Sequence, residues 1–308
     1  NETDIFKHNK LLTNETKLCD FEFNWSDTIE DSVYDIQIDF ANKYIGGGVL
    51  NHGCVQEEIR FLINTECLIS CLLCEVMNDN ESISIIGSKR FNKYDGYGSA
   101  FEFDGTWNDD TKTDIIDNNN GNYIIKNCIV GIDALRFNGY KQVLSQYDKP
   151  QIKRELIKAY AGFNIPNKIT NLSNNNNDTL SIATGNWGCG VFGGNIELKC
   201  LIQWIAATLS NKTIKYYAFE DNGCKYIESF IDIMKQNQAT ICELYKYIYK
   251  FSTTNKSTYN SIFEYIVSFY PNNSLKISSE YMHNISNDSN DDGYITTDYE
   301  ATSDVDNK

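Results

Sequence analysis

A pattern that occurs twice constrains the fold of this chain more than any other feature: a short strand-like segment, a glycine-rich loop, and a helical segment. The two copies cover residues 34–63 and residues 180–209. Strand–loop–helix units of this kind build largely parallel sheets that helices cover on both faces. In such sheets ligands bind at the carboxyl ends of the strands. The sequence therefore predicts an α/β fold in which both loops meet at one rim of the sheet.

The first loop contains three consecutive glycines, Gly46, Gly47 and Gly48, and ends at Gln56-Glu57-Glu58. Glycine permits positive φ and lets a ligand approach the backbone closely. The apolar residues that follow predict that both glutamates lie in the first turn of a helix, beside its exposed N–H groups. Neighbouring helical residues point about 100° apart, so both glutamates can face one ligand. A flexible loop before an acidic helix start is the alternative interpretation.

The second loop runs from Gly185 to Gly194 and precedes a predicted helix, a setting in which backbone N–H groups bind phosphate. It lacks the Gly-Lys-Ser/Thr of P-loop nucleotidases. Gly188, Gly190 and Gly193 match Gly-x-Gly-x-x-Gly, but the acidic residue of dinucleotide-binding dehydrogenases is missing about 20 positions further on. We expect this loop to hold a diphosphate, and a tight turn without a ligand is the alternative.

Carboxylates are the catalytic groups that the chain supplies best. Asp39 ends the strand before the first loop, and Glu57 and Glu58 follow that loop. Glycosidic hydrolysis needs an acid that protonates the leaving oxygen and an environment that stabilises an oxocarbenium-like transition state. Adjacent like charges raise the pKa of one carboxyl group, whereas a helix N-terminus favours the ionised form, and the sequence leaves this competition open. A nucleophilic Cys189–His52 pair would require a coincidence of the fold.

Charge and cysteine content exclude several classes of function. The net charge of −15 argues against a broad basic surface, so we expect no direct DNA binding. No apolar run approaches the length of about 18 residues that a membrane span requires. Most of the ten cysteines lie in apolar or glycine-rich segments of a chain too large to need disulfides, which predicts reduced thiols and an intracellular setting. Cys67, Cys71 and Cys74 share a predicted helix face but lack a fourth ligand, so we expect no metal site.

Hydrophobic periodicity predicts the remaining elements. The predictions that the structure can test are a helix over 55–77 with a break near Asn64, a strand over 82–87, a polar loop over 108–122, a strand over 123–134, a helix after Pro150, a helix over 196–209, a strand over 214–219, and helices over 225–235, 240–249 and 259–269. We also expect an Asn-rich insertion loop at 171–178 and a disordered acidic tail at 285–308.

Six segments, in order along the chain, resemble the poly(ADP-ribose) glycohydrolases. They are Asp39-Phe40-Ala41-Asn42, the glycine triplet spaced to Gln56-Glu57-Glu58, Gly96-Tyr97, Ile132-Asp133-Ala134-Leu135, Arg154-Glu155-Leu156 with Ala159-Tyr160, and residues 183–190. The resemblance covers nearly all of residues 28–270, and the glycine–glutamate signature and the last segment are its most specific motifs. It implies a macrodomain fold, a three-layer α/β/α sandwich with a mixed, largely parallel sheet and extra helices, which binds ADP-ribose.

The resemblance implies hydrolysis of ribose–ribose O-glycosidic bonds in poly(ADP-ribose) chains on modified proteins, with release of ADP-ribose and without metal or cofactor. Glu58 would be the catalytic acid/base, and Glu57 and Asp39 would position the ribose hydroxyl groups. The substrate-binding residues that it implies are Asn42 and Gly46, Gly47 and Gly48 near the ribose, Ile29, Glu30, Gln56 and Tyr97 near the adenine, Asn186, Trp187, Gly188, Cys189, Gly190 and Val191 around the diphosphate, and Phe192 and Phe219 against the nucleotide.

Domain organisation follows from the same resemblance. Residues 1–30 are expected to be a remnant of an N-terminal accessory region, and residues 31–284 the catalytic domain. The chain lacks an initiator Met and a signal-peptide pattern, so we expect it to be part of a longer protein of the nucleus or cytoplasm.

One alternative is a macrodomain that binds ADP-ribose without cleaving it, against which the intact Gln56-Glu57-Glu58 argues. A hydrolase of single protein-linked ADP-ribose units is a second alternative, which the sequence leaves open.

Overall fold

The structure is a computed structural model that describes residues 6–270 except 110, 112, 118–121, 171, 173–178, 254–258 and 260. It describes the backbone alone at 113–117, 122–124, 140 and 168. The predicted tail at 285–308 and nearly all of the predicted Asn-rich loop at 171–178 therefore lie outside the described residues. Across the described ranges, no helix has the length and apolar character needed to cross a membrane.

Within the described residues, ten strands form one large sheet and two hairpins. The strands are β1 (Phe21–Asn24), β2 (Ile36–Asp39), β3 (Ile83–Ile86), β4 (Asn92–Asp95), β5 (Glu102–Thr106), β6 (Thr113–Asp117), β7 (Asn122–Ile125), β8 (Cys128–Gly131), β9 (Ser181–Gly185) and β10 (Thr213–Tyr217). The six-stranded sheet has the order β1-β10-β9-β2-β8-β3, and the hairpins are β4-β5 and β6-β7. All neighbours in the large sheet are parallel except β3, which runs antiparallel to β8.

Helices connect and cover these strands. They are α1 (His8–Leu11), α2 (Gln56–Ile63), α3 (Ser70–Leu73), α4 (Tyr140–Ser145), α5 (Lys149–Phe163), α6 (Asn167–Thr170), α7 (Ile196–Leu209), α8 (Ile227–Gln236), α9 (Ile241–Phe251) and α10 (Ile262–Val267). Local signals explain where two of them begin. Asn195 caps α7 by accepting a hydrogen bond from the Leu198 amide at 2.9 Å, and Thr240 and Glu243 form a capping box on α9.

Alternation along the central strands separates two faces of the sheet. Ile36 and Ile38 of β2 belong to the larger hydrophobic core, to which α5, α7, α8, α9 and α10 also contribute. Gln37 and Asp39 project to the opposite face because successive strand residues alternate. A smaller core, which includes Phe61 of α2 and Ile129 of β8, lies apart from the larger one. The prediction of helices on both sides of a mixed, largely parallel sheet is confirmed.

Two predictions in the middle of the chain are wrong. The single strand predicted at 123–134 is two strands, because Lys126 and Asn127 separate β7 from β8. β7 pairs with β6 in a hairpin, and β8 joins the central sheet. The polar loop predicted at 108–122 therefore contains β6. Pairing between the two hairpin strands satisfies their backbone groups, which local polarity does not reveal.

Other boundaries differ by smaller amounts. The helix predicted at 55–77 is α2, a 3₁₀ turn at Thr65–Ile69 and α3, so it ends at Leu73. As a result Cys67 is buried whereas Cys74 is exposed, and the three cysteines do not share one buried face. The helix predicted at 196–209 matches α7. β1 lies within the apparently patternless residues 1–30 and forms the sheet edge beside β10.

Candidate active site

The two glycine-rich loops meet at one rim of the sheet, as predicted. β2 and β9 are parallel neighbours, so the loops that follow them leave from the same edge. The starts of the two loops also lie close together, because a Cβ atom added to Gly185 would lie 3.6 Å from the Phe40 ring. The site is built on this junction.

Glu57 and Glu58 lie in the first turn of α2, both buried and both held by backbone N–H groups of the first loop. The Glu57 carboxylate accepts hydrogen bonds from the amides of Asn42 at 2.8 Å and Gly46 at 2.6 Å. Glu58 accepts from the amides of Gly48 at 2.8 Å and Val55 at 3.0 Å. Four amides therefore fix the orientation of two adjacent carboxylates, which is the preorganisation that an acid/base site needs.

Glycines in the loop leave the space that these carboxylates occupy. A Cβ atom on Gly47, which has a φ of +50°, would lie 2.5 Å from Glu58 Oε1 and 2.6 Å from Glu57 Oε2. A Cβ atom on Gly53 would lie 2.6 Å from Glu58 Oε1. These distances are too short for real Cβ contacts. Gly53 was not among the predicted site residues, although it follows the glycine triplet by five positions.

Asp39 lies behind the glutamates at the end of β2, with only 1% of its surface exposed. Neither of its carboxylate oxygens accepts a hydrogen bond from a described residue. Burial raises the pKa of Asp39 to about 7, against an opposing effect of Arg60 and with a contribution from Glu58. Burial, followed by the charge of Asp39, raises the pKa of Glu57 to about 10 although two amides oppose the shift. At Glu57, desolvation therefore raises the pKa by more than these two amides lower it.

Gln56 connects the start of α2 to the end of β2. Its side-chain oxygen accepts a hydrogen bond from the Phe40 amide at 2.7 Å, and its Nε2 donates to Ile38 O at 3.2 Å. The Gln56 amide donates to the hydroxyl of Tyr97 at 3.2 Å, and Gly98 N donates to Cys54 O at 3.0 Å. The Gln56 side chain therefore joins α2 to the end of β2. The turn that carries Tyr97 is hydrogen-bonded to the end of the first loop.

Tyr97 and Phe219 form an exposed aromatic pair. Their ring centroids lie 5.6 Å apart at an interplanar angle of 51°. The rings are 39% and 48% exposed, which is high for large aromatic side chains. Phe219 and Glu220 both have left-handed backbone conformations, with φ of +52° and +56°. Such strain costs roughly 1–3 kcal/mol per residue and concentrates at functional sites, so this turn is a strong candidate for ligand contact.

The second loop presents its backbone rather than its side chains. The buried Trp187 indole donates to Ile132 O at 3.0 Å, and Asn186 is bonded to Asp221 at 3.0 Å and Tyr216 at 2.8 Å. Further along this loop, several main-chain amides donate no hydrogen bond to any described residue. They are the amides of Gly188, Gly190, Val191 and Phe192. Such amides are suited to an anion.

A buried ion pair supports the second loop from below. Lys199 of α7 pairs with Glu155 of α5, and its ammonium group lies 4.0 Å from the centroid of the Trp187 ring. Gly188 has a φ of +72°, and a Cβ atom there would lie 2.5 Å from Ala134 Cβ and 3.1 Å from Lys199 Nζ. The loop is therefore closely packed against the fold, so its backbone position is well determined.

Several other predicted site residues have side chains that pack or bond within the fold. Ile29 is buried in a 3₁₀ turn at Ile29–Asp31, and the Glu30 carboxylate accepts a short hydrogen bond from the Tyr94 hydroxyl. Phe192 packs against the larger core. Burial raises the pKa of Cys189 well above that of a free thiol, which disfavours a nucleophilic thiolate there. Among the described residues, no group of three His, Cys, Asp or Glu side chains could hold a metal ion.

These features define an α/β protein in which a loop with undonated main-chain amides lies beside two buried glutamates held by a glycine-rich loop. Residues 8–226 match the family described as Poly (ADP-ribose) glycohydrolase (PARG), Macro domain fold. The chain therefore belongs to the poly(ADP-ribose) glycohydrolase family, and the resemblance inferred from the motifs is confirmed.

Two relatives show the extent of the similarity. The chain is 37% identical over 235 residues to Poly(ADP-ribose) glycohydrolase 1 of Caenorhabditis elegans, covering 75% of this chain and 29% of the relative. It is 30% identical over 270 residues to Probable poly(ADP-ribose) glycohydrolase 2 of Arabidopsis thaliana, covering 77% of this chain and 50% of the relative. The chain thus spans half or less of the length of these two relatives.

Proposed function

We propose that this chain hydrolyses the ribose–ribose O-glycosidic bonds of poly(ADP-ribose) and releases ADP-ribose. Family membership supports the substrate class. The observation that carries the catalytic part is the placement of Glu58, whose carboxylate is fixed by the amides of Gly48 and Val55 in space left by Gly47 and Gly53. A carboxyl group held in this manner can exchange protons with one defined oxygen of a bound sugar.

The reaction that we propose has two proton transfers through Glu58. As the bond between the anomeric carbon and the leaving ribose oxygen breaks, Glu58 gives its proton to that oxygen. The anomeric carbon acquires oxocarbenium character, which nearby negative charge stabilises. Water then bonds to the anomeric carbon and returns a proton to Glu58. The carboxyl group is thereby regenerated without a metal or cofactor.

Glu57 and Asp39 have different roles in this proposal. Glu57 faces the glycine triplet beside Glu58, where it can accept hydrogen bonds from ribose hydroxyl groups. Asp39 is almost fully buried, which supports an indirect role in which its charge helps to keep Glu57 protonated. A protonated Glu57 lowers the repulsion between the two adjacent carboxylates at neutral pH.

The nucleotide would lie along the junction of the two loops. The amides of Gly188, Gly190 and Val191 would bind the diphosphate, and the adenine would stack against Tyr97 and Phe219. An exposed aromatic ring that stacks on a base contributes about 1–3 kcal/mol to binding. In this proposal the distal ribose would face Glu58.

The decisive test is hydrolysis of labelled poly(ADP-ribose) by the parent chain and by Glu58→Gln. The glutamine keeps one of the two oxygens that accept from the amides of Gly48 and Val55 and has a similar size, but it cannot supply the proton, so we expect about a 10³-fold lower kcat. The melting temperature should remain close to that of the parent, and ADP-ribose should still bind. Binding of ADP-ribose by both proteins with hydrolysis by neither would instead identify a macrodomain that binds without cleaving.

A parallel assay on a protein that carries single ADP-ribose units shows whether the chain prefers the polymer or the single unit as its substrate. Under the proposal, the kcat/KM for the polymer exceeds that for the single unit, and the opposite order would move the substrate assignment to the single-unit hydrolases. We also propose a nuclear or cytoplasmic location, which microscopy of a fluorescently tagged chain tests.

A further inference from the structure

A cavity of about 350 Å³ is lined mostly by residues that the proposed nucleotide site does not use. Its walls come from β2, α2, the segment after β3 and the segment before β8, and they include the cationic side chains Arg60, Arg90 and Lys126. Of the residues assigned above to the nucleotide, Glu30 is the one that also lines this cavity. Small-molecule sites typically start at about 300 Å³, so this volume suits a compact ligand.

Arg60 is the most informative residue of the cavity. Its guanidinium is only 3% exposed, and Nη2 donates a hydrogen bond to the Gln37 side-chain oxygen. Its Nε and Nη1 atoms donate to no described residue. A buried guanidinium with unpaired N–H groups is costly, and an anionic oxygen inside the cavity would satisfy these donors.

Arg90 and Lys126 add two further cationic side chains to the lining of the cavity. The Arg90 guanidinium lies 3.8 Å from the centroid of the Trp107 ring and pairs with Asp31 at 3.2 Å, and Lys126 is buried in the wall. Two carboxylates line the cavity with these three cations, and both already accept hydrogen bonds, while the charge of Asp39 acts on Arg60 from outside the lining. Glu30 accepts from the Tyr94 hydroxyl, and Asp109 accepts from the amides of Arg90 at 2.9 Å and Thr111 at 3.0 Å.

The cavity also offers acceptors to a ligand. The side-chain oxygens of Asn64 and Asn127 are buried and accept no hydrogen bond from the described residues. The orientation of Asn64 is set by its Nδ2, which donates to Ser88 O at 3.2 Å. Unpaired acceptors beside unpaired cationic donors match a ligand that carries hydroxyl groups as well as an anionic group.

We propose that this cavity binds a small sugar phosphate, with the phosphate on Arg60, Arg90 and Lys126 and sugar hydroxyl groups on Asn64 and Asn127. The site does not depend on the hydrolysis proposed above. Two kinds of molecule carry such a group: a free sugar phosphate, and a poly(ADP-ribose) chain with its ribose phosphate units.

Calorimetric titration with ribose 5-phosphate tests the proposal, both in the free protein and with ADP-ribose at a saturating concentration. We expect binding in both conditions, and about tenfold weaker binding or more in Arg60→Gln and in Lys126→Gln, because each removes a charged hydrogen-bond donor. Phe219→Ala is the matched control, since it should weaken ADP-ribose and leave ribose 5-phosphate unchanged. Melting temperatures identify any variant that has not folded, and Lys126→Gln remains informative if Arg60→Gln unfolds.

Three results would overturn the proposal: no binding by the parent at millimolar ribose 5-phosphate, displacement of ribose 5-phosphate by ADP-ribose, or equal affinity in parent and folded variants. Inorganic phosphate as a second probe should bind more weakly than ribose 5-phosphate, because it lacks the sugar hydroxyl groups. Competition by a short poly(ADP-ribose) chain, after ADP-ribose has filled the nucleotide site, would assign the source to the polymer.

Discussion

The two glycine-rich loops occupy equivalent places after parallel strands, yet their glycines leave room for different groups. In the first loop, Gly47 and Gly53 face the side-chain carboxylates of Glu57 and Glu58. In the second loop, added Cβ atoms would meet the body of the protein: Ala134 Cβ at Gly188, the Phe137 carbonyl at Gly193, and the Gly188 carbonyl at Gly194. One loop therefore makes space for reactive side chains, and the other allows tight packing that exposes main-chain amides.

This difference predicts that the same chemical change, glycine to alanine, affects different steps in the two loops. Carboxylates are the mobile ends of side chains and can move away from a new methyl group. A packed backbone cannot move without shifting the loop. We therefore expect the first loop to control turnover and the second to control binding and stability.

Gly47→Ala should have the largest effect. The new methyl group would displace both carboxylates, and a displacement near 1 Å is sufficient for about a 100-fold loss of kcat. Affinity for ADP-ribose, measured by calorimetry, should change by less than about threefold. Gly105→Ala is the matched control, because Gly105 also has a positive φ, +96°, but its added Cβ would meet nothing within 4 Å. Equal kcat values in the two variants would contradict the role given to Gly47.

Gly188→Ala should reverse this split between turnover and binding. Its methyl group would lie 2.5 Å from Ala134 Cβ, in a backbone conformation that alanine adopts poorly. We expect ADP-ribose to bind about tenfold more weakly and the melting temperature to fall, whereas kcat at saturating polymer should fall less than in Gly47→Ala. A variant with normal affinity and a lower kcat would show that the two loops do not divide the work in this way.

A pH series examines the buried carboxylates behind the first loop. The pKa of Asp39 rises from 3.8 to about 7 on folding, so between these pH values the folded chain keeps a proton that the unfolded chain has lost. The free energy of unfolding should therefore fall as the pH rises through this window. Asp39→Asn should remove the part of that slope that Asp39 contributes, while Glu57, whose pKa also rises on folding, still titrates. The variant should be more stable above pH 7 by on the order of 2 kcal/mol, less than the full shift because Arg60 loses a counter-charge.

Chemical denaturation of both proteins at pH 3, 5.5, 7 and 8 measures this difference. The difference between the two unfolding free energies should stop changing toward pH 3, because this pH lies below the Asp39 pKa in the unfolded and in the folded parent. If the unfolding free energies of parent and variant change with pH in parallel over the whole range, Asp39 does not titrate in this window.

Gly190→Ala should have the smallest effect. An added Cβ there would meet nothing within 4 Å, and the substitution retains the amide that we assign to the diphosphate. Affinity for ADP-ribose and kcat should both stay within about twofold of the parent values. A tenfold loss of affinity would mean that a ligand needs the space above Gly190, and the main-chain assignment of the second loop would then be incomplete.

Much of the fold could be predicted because its information is local. Alternation over 34–40 predicted β2, and the periodicity over 196–209 predicted α7 with its bounds. The glycine spacing, with the carboxylates after it, predicted Glu57 and Glu58 in the first turn of α2. Elements such as β1 and the β6-β7 hairpin were missed because partners determine them: β1 pairs with β10, almost 200 residues further along the chain.

By itself the sequence determined the elements that local periodicity marks, such as β2 and α7, the two glycine-rich loops and the family to which the chain belongs. The tertiary structure decided which carboxyl groups are desolvated, that Gly53 leaves space for Glu58, and that Arg60 is buried beside a cavity. The physical reason is that periodicity and turn chemistry act between near neighbours, whereas desolvation and steric exclusion depend on every segment that packs around a group.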